Sequence, residues 1–318
     1  MRRGRELWDV GSMPRMDGRT ALVTGASSGI GLQLTRTLSA MGAHVVMAVR
    51  DAEKGEALAE EMRSQRPASL EVMRLDLSDL DSVNEFITTF KIAHGSLDLL
   101  INNAGVMVPP YSRSAQGHEL QWAVNHLGHF ALTGMLIDIL ADTPGSRAVT
   151  QTSMAHWGGS IDFDDINSVN GYRPWKAYQQ SKLANILFAR GLDRRLRALG
   201  FRSPVSLASH PGVADTPLFK HEKRATYWGL KPFMQDAGRA ALPALRAATD
   251  PDAQGGELYG PSGFMEFKGF PARVSPRNKG SDDELGDRVW ELSEEMTGVA
   301  FQRQLEGLIC DDGGCARR

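Results

Sequence analysis

The chain contains 318 residues, of which 42% are hydrophobic and 23% are charged, and its formal net charge at pH 7 is −2. That composition is ordinary for a globular protein, and the near-neutral charge predicts neither a nucleic-acid partner nor an anionic membrane surface. The length fits two domains, or one α/β domain of about 250 residues with extensions.

The first predicted element is a short apolar strand at 20–24, followed by the glycine-rich turn Gly25-Ala-Ser-Ser-Gly29-Ile-Gly31 and an amphipathic helix to about Met41. Such a turn is typical of dinucleotide sites, because glycines let backbone N–H groups approach a pyrophosphate at the helix N-terminus. The spacing is Gly-x-x-x-Gly-x-Gly and not Gly-x-Gly-x-x-Gly, so an alternative is that these glycines serve only the loop.

The second strand, at 44–50, ends at the position that selects the cofactor. A carboxylate there would bind an adenosine ribose hydroxyl, but Val49 is followed by Arg50, whose guanidinium suits a 2′-phosphate. We therefore predict NADP(H) in preference to NAD(H), and the alternative for Arg50 is an exposed loop cation. Asp51 is expected to cap the next helix, at 52–65.

Four more strands follow, and the segment directly after each strand can carry ligand contacts. They are predicted at 70–75, 97–101, 146–151 and 204–209, with intervening helices at 79–92, 117–140 and 175–190. Six alternations of strand and helix predict an α/β fold with a doubly wound parallel sheet and ligands outside the carboxyl ends of the strands.

The last third of the chain is less regular. We predict a helix near 236–249, a short strand near 257–260 and a helix near 282–296. Because no linker separates two cores, we predict an N-terminal extension at 1–17, one Rossmann-type domain at 18–265 and an irregular C-terminal extension at 266–318.

Two features of the chain bear on its location. The basic stretch 1–9 has no apolar segment behind it, and the apolar run 130–140 is short and contains Asp138, so we predict neither a secretory signal nor a membrane span. The two cysteines, Cys310 and Cys315, leave the core without a disulfide framework, which favours a cytoplasmic protein. They could bind a metal or form a local bridge, but with no His or further Cys nearby neither is expected.

Tyr178 and Lys182 lie four residues apart in the predicted helix 175–190, so their side chains share one face. A free phenol has a pKa of about 10, and a nearby ammonium favours the phenolate, so this pair can exchange a proton with an alcohol or carbonyl near neutral pH. Alone, the Tyr-x-x-x-Lys spacing is weak evidence, and the alternative is an exposed aromatic–lysine pair.

Taken together, the motifs resemble the short-chain dehydrogenase/reductase family over about residues 18–260. Within it, the segments 50–56, 124–130, 181–188 and His210-Pro-Gly212 are similar to the retinol dehydrogenase and protochlorophyllide reductase-like branch. Ser153 and Tyr178 are 25 residues apart, which agrees with an insertion in that branch. The motifs are Thr24-Gly-x-x-x-Gly-x-Gly31, Asp76, Asn102-Asn-Ala-Gly105, Asn125, Ser153, Tyr178-x-x-x-Lys182 and Pro211-Gly212.

The resemblance implies a catalytic set of four residues. Tyr178 would be the general acid in reduction and the base in oxidation, and Lys182 would lower its pKa and hold the nicotinamide ribose. Ser153 would hydrogen-bond the substrate oxygen, and Asn125 would bend its helix and hold a water for proton relay. The implied cofactor contacts add Gly25, Ser27, Ser28, Ile30, Gly31, Arg50, Asp76, Leu77, Asn103, Ala104, Gly105, Pro211, Gly212, Val213 and Thr216 to Tyr178 and Lys182.

Two segments are expected to cover the substrate. Apolar and aromatic side chains near Tyr178 favour a small lipophilic carbonyl or alcohol, although they could instead only pack the fold. Segment 214–235 is expected to be a mobile lid. Its cations Lys220, Lys223, Arg224 and Lys231 could instead meet an acidic substrate, but we expect them to form a solvated surface. The apolar side chains are Trp157, Phe163, Tyr172 and Trp175 in the insertion 154–177, and Leu218, Phe219, Tyr227, Trp228, Leu230, Phe233 and Met234 in segment 214–235.

Other readings of the sequence remain open. The helices 176–190 and 117–140 could form a homodimer interface. His126, His129 and His156 invite a metal site, but no carboxylate completes a set, so we predict no metal. The leading function is an NADP(H)-dependent oxidoreductase. The alternatives are a catalytically silent NADP(H)-binding sensor or scaffold on the same fold, and a sugar-nucleotide epimerase, against which the glycine spacing and Asn102–Gly105 count.

Overall fold

A computed structural model describes residues 8–216 and 231–310. One eight-stranded sheet organises the chain in the order β3-β2-β1-β4-β5-β6-β7-β8, parallel throughout except for β8, which pairs antiparallel with β7. The doubly wound parallel sheet is therefore confirmed. The strands are β1 (Thr20–Thr24), β2 (His44–Val49), β3 (Leu70–Arg74), β4 (Leu99–Asn102), β5 (Arg147–Gln151), β6 (Val205–Ser209), β7 (Leu258–Pro261) and β8 (Pro271–Val274).

Helices pack on both faces of the sheet and connect its parallel strands. The bounds of most helices agree with the sequence predictions within a few residues, but the Tyr178 helix continues to Ala198, the predicted helix 117–140 is interrupted, and the helix at Phe301–Cys310 was not predicted. The helices are α1 (Gly29–Ala40), α2 (Ala52–Gln65), α3 (Leu80–Ala93), α4 (Leu120–Trp122), α5 (Gly128–Met135), α6 (Ile137–Asp142), α7 (Pro174–Ala198), α8 (Ala237–Thr249), α9 (Asp283–Thr297) and α10 (Phe301–Cys310).

The helix predicted at 117–140 is not continuous. Residues Ala123–Leu127 between α4 and α5 form a π-helical turn, in which the N–H of Gly128 bonds to the carbonyl of Ala123. A second break at Leu136 separates α5 from α6. Such π-turns are frequent at functional sites, and this one carries Asn125.

The central strands are buried on both faces, as their uncharged sequences require. In β4, all four residues are buried, and β5 and β6 are buried after their first residue. One hydrophobic cluster lies under α1 and α8, and another lies under α3, α5 and α7. The carboxyl ends of these strands are thereby held in one rigid row.

Helices α9 and α10 cover the side of α5 and α7 that faces away from the sheet. Trp290 of α9 stacks on Phe188 of α7 at 5.7 Å between ring centroids, and Phe301 of α10 packs edge-on against Phe130 of α5 at 4.9 Å. We had predicted that this surface could pair with a second subunit. In the structure it is filled by the same chain, so the apolar side chains that suggested a dimer have an internal explanation.

The N-terminal end of the described chain also packs on the core. Trp8, Met13 and Met16 are buried against β1 and α1, so the described part of the predicted N-terminal extension packs on the fold. Strand β8, at the edge of the sheet, was not predicted. Among the helices of residues 8–216 and 231–310, none is both long and apolar enough to cross a membrane.

Candidate active site

The turn after β1 forms a close-packed cradle. Gly25 has φ +67°, and a Cβ on Gly31 would lie 2.2 Å from the carbonyl oxygen of Gly25 and 2.7 Å from Nδ2 of Asn103. Neither position can take a side chain without displacing backbone. The N-cap of α1, Ser28, makes no side-chain capping bond, so the N-terminal amides of this helix are open to an anion. The turn therefore fits a pyrophosphate.

Thr24, at the end of β1, connects this cradle to the loop after β4. Its hydroxyl oxygen accepts hydrogen bonds from the backbone N–H groups of Asn103 (2.9 Å) and Ala104 (3.0 Å). Nε2 of His129 lies 2.9 Å from the same oxygen, and the other ring nitrogen lies 3.1 Å from the carbonyl oxygen of Asn125. The histidine therefore positions backbone at the site and is hydrogen-bonded through both nitrogens.

Tyr178 and Ser153 meet at the carboxyl end of β5. Ser153 is the N-cap of a short 3₁₀ turn, Met154–Gly158, and its side chain is close enough to the phenol of Tyr178 to lower the pKa of that group by hydrogen bonding. Tyr178 is buried, and burial raises its pKa to about 12 although the Ser153 bond lowers it. The resemblance implied that Lys182 would lower this pKa. The ammonium is 5.8 Å from the ring centroid, but burial dominates, so the phenol is neutral and protonated at pH 7.

Lys182 reaches the same pocket from the next turn of α7. Burial lowers its pKa to about 8, so at pH 7 roughly nine in ten side chains carry the charge. Its Nζ donates to the carbonyl of Gln151 at 3.2 Å, which uses one of its three protons. A Cβ on Gly105 would lie 3.5 Å from this Nζ, so the loop after β4 passes directly beside the buried ammonium.

Asn125 clamps the loop after β4 against α7. Its Oδ1 accepts from the N–H of Val106 at 2.8 Å, and its Nδ2 donates to the carbonyl of Val106 and to Oγ of Ser181. The π-turn places the side chain in this position. Asn125 is thus bonded to the residue that precedes Lys182, and both its catalytic role and the water relay assigned to it stay predictions.

The loop after β6 is held by unusual backbone geometry. Gly212 has φ +67°, and a Cβ there would lie 2.3 Å from the carbonyl oxygen of Phe267. The amide of Val213 donates to that same carbonyl at 2.8 Å, and Nε2 of Gln235 donates to the carbonyl of Pro211. The predicted nicotinamide contacts Pro211–Val213 and Thr216 therefore lie on an anchored loop at the same edge of the sheet.

A buried polar group behind this loop was missed from the sequence. Nε2 of His210, whose side chain is fully buried, lies 2.8 Å from Oε2 of Glu266, and the other carboxylate oxygen accepts from Arg277 at 3.0 Å. The N–H of Arg277 in turn reaches Nε2 of His156, whose Nδ1 bonds to the carbonyl of Ser153. No local motif marks Glu266, since its partner His210 is 56 residues away.

Two predicted contacts lie further along the sheet, at the ends of β2 and β3. Arg50 is exposed directly after β2, and Asp51 caps α2 as predicted by accepting from the N–H of Lys54. Oδ1 of Asp76 accepts from both the N–H and the hydroxyl of Ser78. Leu77 beside it is buried. These ends are where an adenosine would lie if the pyrophosphate sits on α1.

Of the four aromatic residues predicted in the first covering segment, Trp175 lies closest to the reaction site. Its ring is 5.6 Å from that of Tyr178, and it is 47% exposed. Tyr172 donates to the carbonyl of Pro109, Phe163 packs under Arg288, and Trp157 packs under Arg277, so these three serve packing. Most of the second segment, 217–230, lies outside the described residues, so the lid prediction is untested.

His126 and His156, weighed as metal ligands with His129, are hydrogen-bonded to protein. Nε2 of His126 lies 2.8 Å from Oγ of Ser293, and His156 bonds to Ser153 as above. Burial lowers the pKa of His126 to about 3 and that of His156 to about 4, so both are neutral at pH 7.

Comparison with known proteins agrees with this geometry. Residues 19–226 match the family model for short chain dehydrogenases. Retinol dehydrogenase 12 of Homo sapiens is 38% identical over 291 residues, covering 91% of this chain and 89% of that protein. Retinol dehydrogenase 13 of Homo sapiens is 36% identical over 301 residues, covering 91% and 87%.

Solved structures that resemble this chain share its fold. An uncharacterised protein from Mycobacterium paratuberculosis has 40% identity and a TM-score of 0.79, covering 93% of this chain and 99% of that one. A structure from Beutenbergia cavernae with bound NADP has 24% identity and a TM-score of 0.61, covering 76% and 94%, and shows likeness of fold alone.

Proposed function

Since the chain belongs to the short-chain dehydrogenase family, in its retinol dehydrogenase-like branch, and is an NAD(P)-dependent oxidoreductase of alcohol and carbonyl groups, we propose that it uses NADP(H) to reduce a small lipophilic carbonyl compound, with Tyr178 as the proton donor. The observation that carries this proposal is the convergence of Ser153 with the buried Tyr178 and Lys182 at the carboxyl end of β5, on the same side of the sheet as the glycine-rich turn after β1.

The protonation states support reduction as the favoured direction. A phenol with a pKa of about 12 holds its proton at pH 7 and can give it to an oxygen that gains negative charge. Ser153 would hold that oxygen, and the Lys182 ammonium would hold the ribose hydroxyls and stabilise the phenolate that remains. The bound nicotinamide supplies the hydride. Alcohol oxidation would instead need Tyr178 to start as the rarer phenolate.

The preference for NADP(H) rests on Arg50. It occupies the end of β2, where a carboxylate would favour NAD(H), and a guanidinium can bind a phosphate with two parallel hydrogen bonds. The further cofactor contacts proposed are those at Gly25–Gly31, Asp76–Leu77, Asn103–Gly105 and Pro211–Thr216.

The lipophilic substrate class rests on the surroundings of Tyr178. The phenol ring packs with Met107, Ala155 and Val108, and Trp175 flanks it on the exposed side. An apolar substrate would gain free energy by covering the half-exposed indole, at roughly 25 cal/mol for each Å² of apolar surface removed from water. That retinol dehydrogenases are relatives agrees with an elongated apolar alcohol or aldehyde.

The test is a turnover comparison with a panel of aliphatic and isoprenoid aldehydes, ketones and alcohols, using NADPH and NADH. We expect kcat/KM to rise with carbon number among the aldehydes and to be at least tenfold higher with NADPH. A chain that binds NADPH but turns over none of the panel would support the alternative, a silent sensor or scaffold. The intact set Asn125, Ser153, Tyr178 and Lys182 favours the enzyme.

The quaternary state and location also stay proposals. We keep a cytoplasmic location, based on the cysteine content. A homodimer through α5 and α7 would require α9 and α10 to leave the surface they cover, so we favour a monomer.

A further inference from the structure

Two histidines and a glutamate lie close together near the amino-terminal ends of β2 and β3, at the opposite end of the strands from the candidate active site. His44 is the first residue of β2, Glu71 is the second residue of β3, and His94 is the C-cap of α3. One ligand atom from each, all within 4.8 Å of one another, could contact a single ion. The active-site loops follow the carboxyl ends of the parallel strands, so this cluster is separate from the candidate active site.

The distances within the cluster suit a tetrahedral metal. Nε2 of His94 lies 3.0 Å and Nε2 of His44 lies 3.4 Å from the same oxygen of Glu71. Zinc–nitrogen and zinc–oxygen bonds of about 2.0–2.1 Å give separations of roughly 3.3 Å between tetrahedral ligands. The two separations from the Glu71 oxygen therefore need to change by only a few tenths of an ångström around an ion, and the ligand atoms of the two histidines lie within 4.8 Å of each other.

Second-sphere contacts already orient the rings. Nδ1 of His44 lies 2.8 Å from Oγ of Ser69, which directs Nε2 toward Glu71. The ring of His94 packs on Phe90 at 4.6 Å between centroids. Metal-bound histidines commonly have their other ring nitrogen bonded in this way.

An ordinary ion pair explains the cluster less well. Nε2 of His94 is buried and, although 3.0 Å from Glu71, makes no aligned hydrogen bond. A divalent cation bound by two neutral imidazoles and the carboxylate satisfies all three groups. Glu71 and His44 are each about one-third exposed, so an ion and a completing water can reach them.

We propose that His44, Glu71 and His94 form a site for a borderline divalent metal ion, Zn²⁺ being the best match, which ties the end of α3 to β2 and β3. The nitrogen-rich ligand set favours Zn²⁺, Ni²⁺ or Co²⁺ over Mg²⁺ and Ca²⁺, which prefer oxygen. Because the folded state alone brings the three residues together, binding stabilises the fold.

The experiment is a titration of the tag-free full chain with ZnCl₂ by calorimetry, after treatment with EDTA and dialysis. Cys310→Ser and Cys315→Ser are introduced into the background, so that thiolates cannot supply the binding. We expect one Zn²⁺ per chain, a melting temperature raised by roughly 5 °C at a hundredfold excess over Kd, and no heat with MgCl₂. NADPH affinity should not change.

Variants locate the site. His44→Gln and His94→Gln should each abolish stoichiometric binding and the thermal shift, while Ser69→Ala should weaken Kd by about tenfold. Glu85→Gln removes an exposed carboxylate of α3 outside the cluster and should bind like the parent. Folding of each variant is checked by NADPH binding. Equal Zn²⁺ binding by His94→Gln and the parent, equal heats with Mg²⁺, or no binding by the parent would overturn the proposal.

Discussion

At the scale of single residues, chemistry at this site is governed by burial as much as by neighbouring charge. The Tyr178–Lys182 spacing suggested a phenol with a lowered pKa, but both groups are shifted toward their neutral forms, to about 12 and about 8. Sequence spacing reveals which groups share a helical face. It does not reveal the loss of solvent, which depends on Met107 and Ala155 from other elements.

We expect Tyr178→Phe to lower kcat for carbonyl reduction by about 10²–10⁴-fold and to leave the Kd of NADPH within twofold, because the variant loses the proton donor and retains the ring. Stopped-flow turnover and fluorescence titration measure the two quantities. Tyr259→Phe is the control, since Tyr259 is also buried with a pKa of about 12 but lies on β7, hydrogen-bonded to Glu257. Comparable turnover in both variants would remove Tyr178 from catalysis.

Arg50→Ala should raise the Kd of NADPH about 10–100-fold and that of NADH less than twofold, because a charge-assisted bond to phosphate contributes roughly 1.5–3 kcal/mol. Arg66→Ala is the control; Arg66 is exposed at the end of α2, away from the carboxyl ends of the strands, and donates to the carbonyl of Arg36. Equal losses for both cofactors would cancel the assignment of NADP(H).

Glu266→Gln should raise the KM for the cofactor several-fold and destabilise the fold at pH 7. Burial acts to raise the pKa of Glu266, but His210 and Arg277 outweigh it and hold the pKa below its usual value. A lowered folded-state pKa gives stability that is present above the unfolded pKa and lost as pH falls through the folded one. The difference from the parent in urea unfolding should therefore be full at pH 7 and shrink below about pH 4.3.

The matched control is Glu291→Gln, which removes an exposed carboxylate of α9. If Glu266 only packs the hairpin between β7 and β8, the variant will lose stability while its KM for the cofactor equals that of the parent.

At the scale of elements, regular segments were predictable and their interruptions were not. The strands β1 to β6 and the helices α1, α2 and α3 follow from apolar runs and caps such as Asp51. The resemblance implied a bend at Asn125, but the periodicity did not predict a π-turn, because the partners of that side chain, Val106 and Ser181, are distant in sequence. Edge strand β8 contains Arg273 and begins with Pro271, so it lacks the apolar pattern of the interior strands.

Helices α9 and α10 yield a prediction of their own. Trp290 is buried among Phe130, Phe188 and Phe301, so Trp290→Ala should lower the free energy of unfolding by about 3–5 kcal/mol. Urea unfolding measures this loss. Trp175→Ala, at a half-exposed tryptophan, should change it by less than about 1 kcal/mol.

Sedimentation equilibrium at micromolar concentration should give a monomer for the parent chain, because its own helices fill the surface of α5 and α7. A dimer that persists in the parent would show that pairing uses another surface or displaces α9 and α10.

At the scale of the whole molecule, the two ends of the parallel strands carry different groups of functional side chains. The parallel direction of the strands followed from the alternation of helix and strand, and so did the row of Gly25, Asn103, Ser153 and Pro211 along their carboxyl ends, whereas the strand order was not predicted. The cluster of His44, Glu71 and His94 at the amino-terminal ends of the strands was not predicted, because its members come from separate elements at irregular spacing.

Three buried histidines make the stability of the whole molecule depend on pH. Burial lowers the pKa of His126 to about 3 and those of His129 and His156 to about 4, against about 6.5 in an unfolded chain. The unfolded state therefore binds more protons, and stability falls as pH drops below 6.5 toward 4. Between about pH 7.5 and 5.5 each histidine should cost about 1.3 kcal/mol, or about 4 kcal/mol in total.

Urea unfolding across that range measures the loss, and staying above about pH 5.5 keeps most carboxylates ionised, so that the histidines dominate. His126→Gln should reduce the pH-dependent loss by about one-third whatever its stability at pH 7.5, because it deletes one of the three titrations while the other two remain. His156→Gln should do the same independently. A parent chain equally stable at both ends of the range would mean that these histidines are not held neutral in the fold.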